Sequence, residues 1–289
     1  MTATSGTPDG FDSVTGTRVR AARAIVTPGG IEHVTLLDDK FTELRTTGRK
    51  ALVCYITAGH PDAARSAELL AGLADAGADV VEVGVPFSDP MADGPVIQQS
   101  SQVAIEQGMT LEGTLDLVAR AKPSIPVVLF TYLNPLLAAG ENVLDRASHA
   151  GVNGVLVTDL PVGADPDRES WLGDSPLSFV RLVAPTTPAE RMAEIARHGS
   201  GFVYLISRLG VTGERSTIPD TLPDTIGRLR GVTQLPICVG FGISRPEQAA
   251  QVGKLADGIV VGSALVRAAG ESVESALALV RSMRAALDG

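Results

Sequence analysis

Two carboxylates stand out for their setting. Glu82 is bracketed by Val81, Val83 and Gly84, and Asp93 follows eleven positions on, immediately before Gly94 and Pro95. A carboxyl group with apolar walls loses solvation for its charged form, so its pKa rises and it can hold and hand over a proton near neutrality. The competing structural account pairs Glu82 with a buried arginine or hydroxyl. Asp93 has one of its own: an aspartate just ahead of Gly-Pro at the start of a helix serves as an N-cap. Asp89, ahead of Pro90, is equally a turn former.

A second group consists of glycine-bearing turns at 210–213 (GVTG), 240–243 (GFGI) and 262–264 (GSA). Taken singly, each is explained as a turn requirement. Together they bring backbone N–H groups to one region, and an anion bound there needs no side-chain charge. Arg208 is the one basic residue near them, so the N–H groups of Gly213, Gly242 and Ser263 are expected to converge on a single point, with the helix containing Ser263 aimed at it. Tyr132 and Tyr204 are placed to contact a planar aromatic ligand or simply to pack. His33, His60, His149 and His198 are scattered without metal-ligand spacing, so no metal is expected.

The elements that must position these residues follow from periodicity. Short Val-, Ile- and Leu-rich runs occur at 51–57, 79–84, 126–132, 154–158, 178–184, 201–207, 236–240 and 257–262, alternating with segments of helical period at 63–76, 111–121, 142–150, 189–198, 247–255 and 272–287. The runs are apolar on both faces, as parallel strands covered by helices must be. Eight such units predict an α/β fold, a single (β/α)8 TIM barrel over 35–289, with a short extra helix near 36–46 closing its bottom. Glu82, Tyr132, Asp159 and Gly240 fall at or just past run ends, the face on which barrel active sites form. Residues 1–34, rich in Gly, Ser, Thr and Pro at their start, read as a flexible extension, with a transit peptide disfavoured by Asp9 and Asp12.

Composition narrows the class of function. The 289 residues are 44% hydrophobic and 20% charged, which suffices for a large core. A net charge of −9 argues against a nucleic-acid surface, which needs clustered cations. Cys54 and Cys238 each sit inside an apolar run and read as core thiols, so a cytoplasmic location is expected. No apolar stretch is long enough for a membrane helix.

Taken together, the segments VEVGVPFSDPMADGP (81–95), ITAGHPD (56–62), VLVTDLPV (155–162), YLISRLGVTG (204–213) and GFGISRPEQ (240–248) resemble the tryptophan synthase alpha chain family over about residues 35–285. The resemblance implies a lyase that splits indole-3-glycerol phosphate into indole and glyceraldehyde 3-phosphate, with Glu82 moving protons and Asp93 binding the indole N–H. It further implies that Tyr55, Phe130 and Tyr132 line the indole end. Tyr204, Thr212, Gly213, Phe241, Gly242, Gly262 and Ser263 would meet the rest of the substrate and its phosphate.

No cofactor is implied for this chain; pyridoxal phosphate is expected on a partner beta chain in an alpha2beta2 heterotetramer, docked at loop 86–95 through residues such as Pro86 and Asp89. Two stretches depart from the pattern. Residues 163–176 carry Gly and Pro where the family has a barrel helix, predicting a shortened or irregular unit, and the first thirty or so residues have no counterpart. A stand-alone lyase would share every motif, another phosphate-binding barrel enzyme would share only the late glycine turns, and a chain that merely activates its partner would not need both carboxylates.

Overall fold

The computed structural model describes residues 23–27, 30–206, 219–240 and 242–289. Before the barrel, β1 (Arg23–Thr27) and β2 (Gly30–Val34) pair antiparallel as a separate two-stranded sheet. The reading of 1–34 as a flexible extension contained no strand here, although the β-branched Ile25, Val26, Thr27, Ile31 and Val34 favour an extended chain.

Helix α1 (Leu36–Thr47) begins in a capping box: Thr35 Oγ1 accepts from the N–H groups of Leu37 and Asp38, and the Asp38 carboxylate accepts from the Thr35 N–H at 2.8 Å. Its apolar stripe, Leu37, Phe41 and Leu44, is buried. Phe41 packs on Phe202, ring centroids 5.4 Å apart, and Thr35 Oγ1 meets Ser178 Oγ at 2.7 Å, so the helix plugs the bottom of the barrel as expected.

The eight expected strands all form: β3 (Ala51–Thr57), β4 (Val80–Gly84), β5 (Val127–Thr131), β6 (Gly154–Val157), β7 (Ser178–Val183), β8 (Val203–Ile206), β9 (Ile237–Gly240) and β10 (Gly258–Val261). They are parallel and close in chain order, with β10 pairing β3. Strand periodicity of two divides the apolar residues into two layers. Ala51, Val53 and Tyr55 point inward with Val80, Val128, Phe130, Leu156, Val180, Phe202 and Tyr204. Leu52, Cys54 and Ile56 point outward with Val81, Val83 and Leu129 against the helices. Glu82, two positions after inward Val80, is thereby committed to the interior.

The covering helices are α2 (Ala63–Gly72), α3 (Pro95–Glu106), α4 (Leu111–Ala121), α5 (Leu133–Ala139), α6 (Val143–His149), α7 (Pro166–Gly173), α8 (Ala189–Arg197), α9 (Leu222–Arg230), α10 (Pro246–Gly253), α11 (Ser263–Glu271) and α12 (Val273–Asp288). Helix α7 is short, as the sequence suggested, but Pro166 opens it rather than breaking it, and Asp165 caps it by accepting from Arg168 N–H at 3.1 Å. Its Glu169 forms a buried ion pair with Arg181 of β7 at 2.7 Å. Helices α5 and α9 were not anticipated, since Pro135 and Pro223 mask a helical pattern that tolerates proline in a first turn. Helix α12 fastens the ends of the barrel sequence together: Arg284 donates to the Lys50 carbonyl at 2.9 Å and to Asp79 at 3.1 Å, just ahead of β3 and β4.

Candidate active site

The two carboxylates come to the barrel mouth by different routes. Glu82 rides on β4 and is fully buried, and among the described residues neither of its oxygens has a hydrogen-bond partner. Among the described residues, then, no arginine or hydroxyl partners it. Burial without compensation pushes its carboxyl up to about 8.

Asp93 lies in the loop between β4 and α3. It is not the N-cap: that position is Gly94, which makes no side-chain cap, with Pro95 opening the helix. The Asp93 carboxylate instead accepts from the Tyr132 hydroxyl at 3.0 Å, and its carbonyl accepts from the Gln98 side-chain amide at 2.9 Å. Burial raises its carboxyl to about 6, against the opposing effect of the Tyr132 hydrogen bond. Tyr132 in turn accepts from the Ala92 N–H at 2.9 Å and stacks obliquely on Phe87, centroids 4.9 Å apart. One phenol therefore braces the whole carboxylate-bearing loop.

Tyr55 joins the carboxylates, since burial raises its hydroxyl pKa and Asp93, Glu82 and Tyr132 are all close enough to contribute. Its ring meets Phe130 edge-on, centroids 5.2 Å apart at 80°. Tyr204, also buried, feels Glu82, Tyr55 and Asp93 in the same way. Both phenols depend on glycine. A Cβ on Gly84 would lie 2.1 Å from the Tyr55 oxygen, and one on Gly240 would lie 2.1 Å from the Tyr204 oxygen. In each case a tyrosine leans over the last residue of the next strand, where its hydroxyl occupies the space of the missing side chain.

At the far side, Gly262 precedes α11 and approaches Tyr55, whose Cβ lies 3.8 Å from the position of a Cβ on Gly262. Ser263 opens α11, whose first turn carries no acidic residue, and Gly242 adopts a left-handed φ of 88°. Thr212, Gly213 and Phe241 lie outside the described residues, as does Arg208. The expected convergence of three N–H groups therefore includes one, that of Gly213, that lies outside the described residues. In loop 86–95, Pro86 is buried, whereas Asp89 is exposed and Met91 is 85% exposed. Asp89 accepts from the Ser88 hydroxyl at 2.5 Å.

Sequence reasoning missed Gly84, Thr57 and Ser100. Thr57 and Ser100 bond each other behind Tyr55 at 2.7 Å. Asp159, noted at a strand end, accepts from the Leu133 N–H at 2.8 Å and so caps α5. Among the described residues, no helix is long and apolar enough to cross a membrane, and no cluster of His, Cys, Asp or Glu is suited to a metal.

A closed parallel barrel with a dry carboxyl on one strand and a second, tyrosine-held one in the loop that follows has the architecture of the (β/α)8 enzymes, whose active sites form on this face. The sequence profile of the family described as Tryptophan synthase alpha chain matches residues 41–287, and the chain belongs to that family. It is 47% identical over 234 residues to the tryptophan synthase alpha chain of Citrifermentans bemidjiense, covering 80% of this chain and 88% of that one. Against the Caulobacter vibrioides alpha chain, identity is 45% over 248 residues, covering 84% and 88%. Among solved structures, tryptophan synthase subunit alpha from Legionella pneumophila superposes with a TM-score of 0.81 at 33% identity, covering 88% of this chain and 99% of that one. A chain of Mycobacterium tuberculosis tryptophan synthase gives 0.81 at 34% identity, covering 88% and 98%. The chain is a carbon–carbon lyase of tryptophan biosynthesis that cleaves indole-3-glycerol phosphate.

Proposed function

We propose that Glu82 is the proton-transfer group of this cleavage and Asp93 the group that holds the indole N–H. The reaction is a retro-aldol: C3 of the indole takes up a proton, the carbon–carbon bond to the glycerol chain breaks, and the glycerol hydroxyl loses its proton as the aldehyde forms. The observation that carries the reading is the order of the two acids. With Glu82 near 8 and Asp93 near 6, at neutral pH the first is protonated and the second ionised. Glu82 can then deliver a proton to C3 and accept the hydroxyl proton, while Asp93 stabilises positive charge developing on the ring.

Tyr55, Phe130 and Tyr132 form the indole end in this reading. Tyr204, Thr212, Gly213, Phe241, Gly242, Gly262 and Ser263 serve the glycerol phosphate, with the N-terminus of α11 as the anion site. This chain carries no cofactor of its own. Its partner is a beta chain bearing pyridoxal phosphate in an alpha2beta2 assembly, and the compartment is the cytoplasm, in keeping with the free, buried Cys54 and Cys238. Loop 86–95 is the docking edge, offering Asp89 and Met91 directly while buried Pro86 shapes the loop from beneath.

The test is steady-state cleavage of indole-3-glycerol phosphate by the chain alone and with added beta chain. Activity that rises with the beta chain is expected. Full activity without any response would instead favour a stand-alone lyase, and absence of cleavage in both arms would overturn the assignment.

A further inference from the structure

The bottom of the barrel, opposite the mouth, carries a cavity of about 450 Å³ that the chemistry above does not use. Phe41 and Leu44 of α1, with Leu235 and Pro236 ahead of β9, give it an apolar floor. Arg45, Arg49, Lys50 and Arg230 line the rest, and among the described residues Asp257 is the one carboxylate in the lining. Four cations against one anion stand out in a chain whose net charge is −9.

Ordinary structural duties do not use up this charge. Cations near a helix C-terminus commonly serve its open carbonyls. At the end of α1 the backbone does so itself, the Gly48 N–H donating to the Arg45 carbonyl at 3.3 Å and the Arg49 N–H to that of Leu44 at 3.0 Å. Asp257 is already committed: one oxygen accepts from the Ile237 N–H at 2.9 Å and the other from Arg230 at 3.0 Å. Arg45 lies 3.5 Å from the Gln234 carbonyl oxygen and Lys50 donates to the Ala256 carbonyl at 2.9 Å, both neutral partners. Arg49 stands 3.8 Å from Asp79 and 3.9 Å from Asp288, beyond hydrogen-bond reach. Among the described residues, Arg45, Arg49 and Lys50 thus have no carboxylate at hydrogen-bonding distance.

Like charges gathered in one cavity repel, and a bound anion relieves that repulsion. Guanidinium forks match phosphate oxygens in pairs, and the volume is that of a small-molecule site, which a monatomic ion would leave mostly empty. We propose that this cavity binds a small, multiply charged phosphate compound, with its oxygens on Arg45, Arg49 and Arg230 and any carbon skeleton on the apolar floor. The lining comes from α1 and from the segments leading into β3, β9 and β10, where the barrel closes on itself, so an occupant ties the bottom helix to the closing seam. Stability, rather than turnover, is what it changes.

Inorganic pyrophosphate is the probe, with Tm of the full chain followed against its concentration and sodium chloride of matched ionic strength as the reference. A saturable rise beyond that reference is expected, about 5–10 °C at a hundredfold excess over Kd. Arg45→Gln and Arg49→Gln each shed one exposed cation, should fold, and should weaken the apparent Kd about tenfold or more. Pyrophosphate held at the mouth would also raise Tm, yet neither substitution at the opposite end would touch that response. A shift undiminished in either variant, or one no larger than sodium chloride gives, would overturn the proposal.

Discussion

A carboxyl group without a partner in a dry barrel keeps its proton well above the usual range, and among the described residues Glu82 has none. Glu82→Gln preserves shape and removes the transferable proton, so kcat should fall about a hundred- to ten-thousand-fold in a folded protein. The same substitution has a signature in stability. The folded pKa near 8 stands above the unfolded one, so the native state holds a proton the unfolded state has released. Wild-type stability therefore falls as pH rises from about 4.5 through 8, by at most about 1.4 kcal/mol per pH unit. In Glu82→Gln this component is absent, and denaturant midpoints across that window should be flatter. Parallel curves for the two proteins would mean that Glu82 is not buried in its neutral form. Asp93 needs the opposite state. Tyr132→Phe removes a hydrogen bond that lowers the Asp93 pKa, so the acid limb of kcat/KM, expected near 6, should move to higher pH. An unmoved limb would separate Asp93 from the pH dependence.

At the scale of elements, the site is set by what each strand ends on. Gly84 closes β4 beneath the Tyr55 hydroxyl and Gly240 closes β9 beneath that of Tyr204. Gly84→Ala would drive a methyl group into a phenol oxygen at 2.1 Å and ring carbons at 2.6 and 2.8 Å. Since those carbons remain in phenylalanine, Tyr55→Phe should not relieve the clash, whereas Tyr55→Leu should restore folding without restoring activity. The expected cost of Gly84→Ala is about 1–3 kcal/mol, the usual range for overpacking, read as a loss of denaturation midpoint. A stable, fully active Gly84→Ala protein would show that the phenol can move aside freely.

Over the whole molecule, the mouth depends on a barrel whose ends are fastened far from it. Arg284 of α12 is buried against Asp79 and the Lys50 carbonyl, ahead of β3 and β4. Arg284→Ala leaves buried Asp79 with the Leu52 N–H at 2.9 Å and the more distant Arg49 at 3.8 Å, and should cost about 1–3 kcal/mol. For a chain of this size each kcal/mol lowers Tm by roughly 2–4 °C. The kinetic constants of the protein that remains folded should be unchanged, because the link lies at the bottom of the barrel. A drop in kcat without a drop in Tm would contradict that separation of stability from catalysis.

What the amino-acid order determined by itself is what depends on neighbours along the chain. Eight apolar runs separated by helical periods suffice for a parallel barrel, and parity along β4 sends Glu82 inward once Val80 is a core residue. The family's motifs are likewise contiguous, so Glu82 and Asp93 stand out before any coordinate is known. Tertiary structure decided whatever depends on which strand lies beside which. Whether Asp93 caps a helix or is held by a phenol turns on Tyr132, 39 residues away. Thr57 meets Ser100 across 43 residues, and nothing near either in sequence marks the encounter. Pro166 reads locally as a breaker and acts as a helix start because Asp165 turns back to cap it. Local pattern constrains backbone conformation and facing, but a hydrogen bond or a clash needs two atoms within a few ångströms, and barrel closure is what brings distant residues that close.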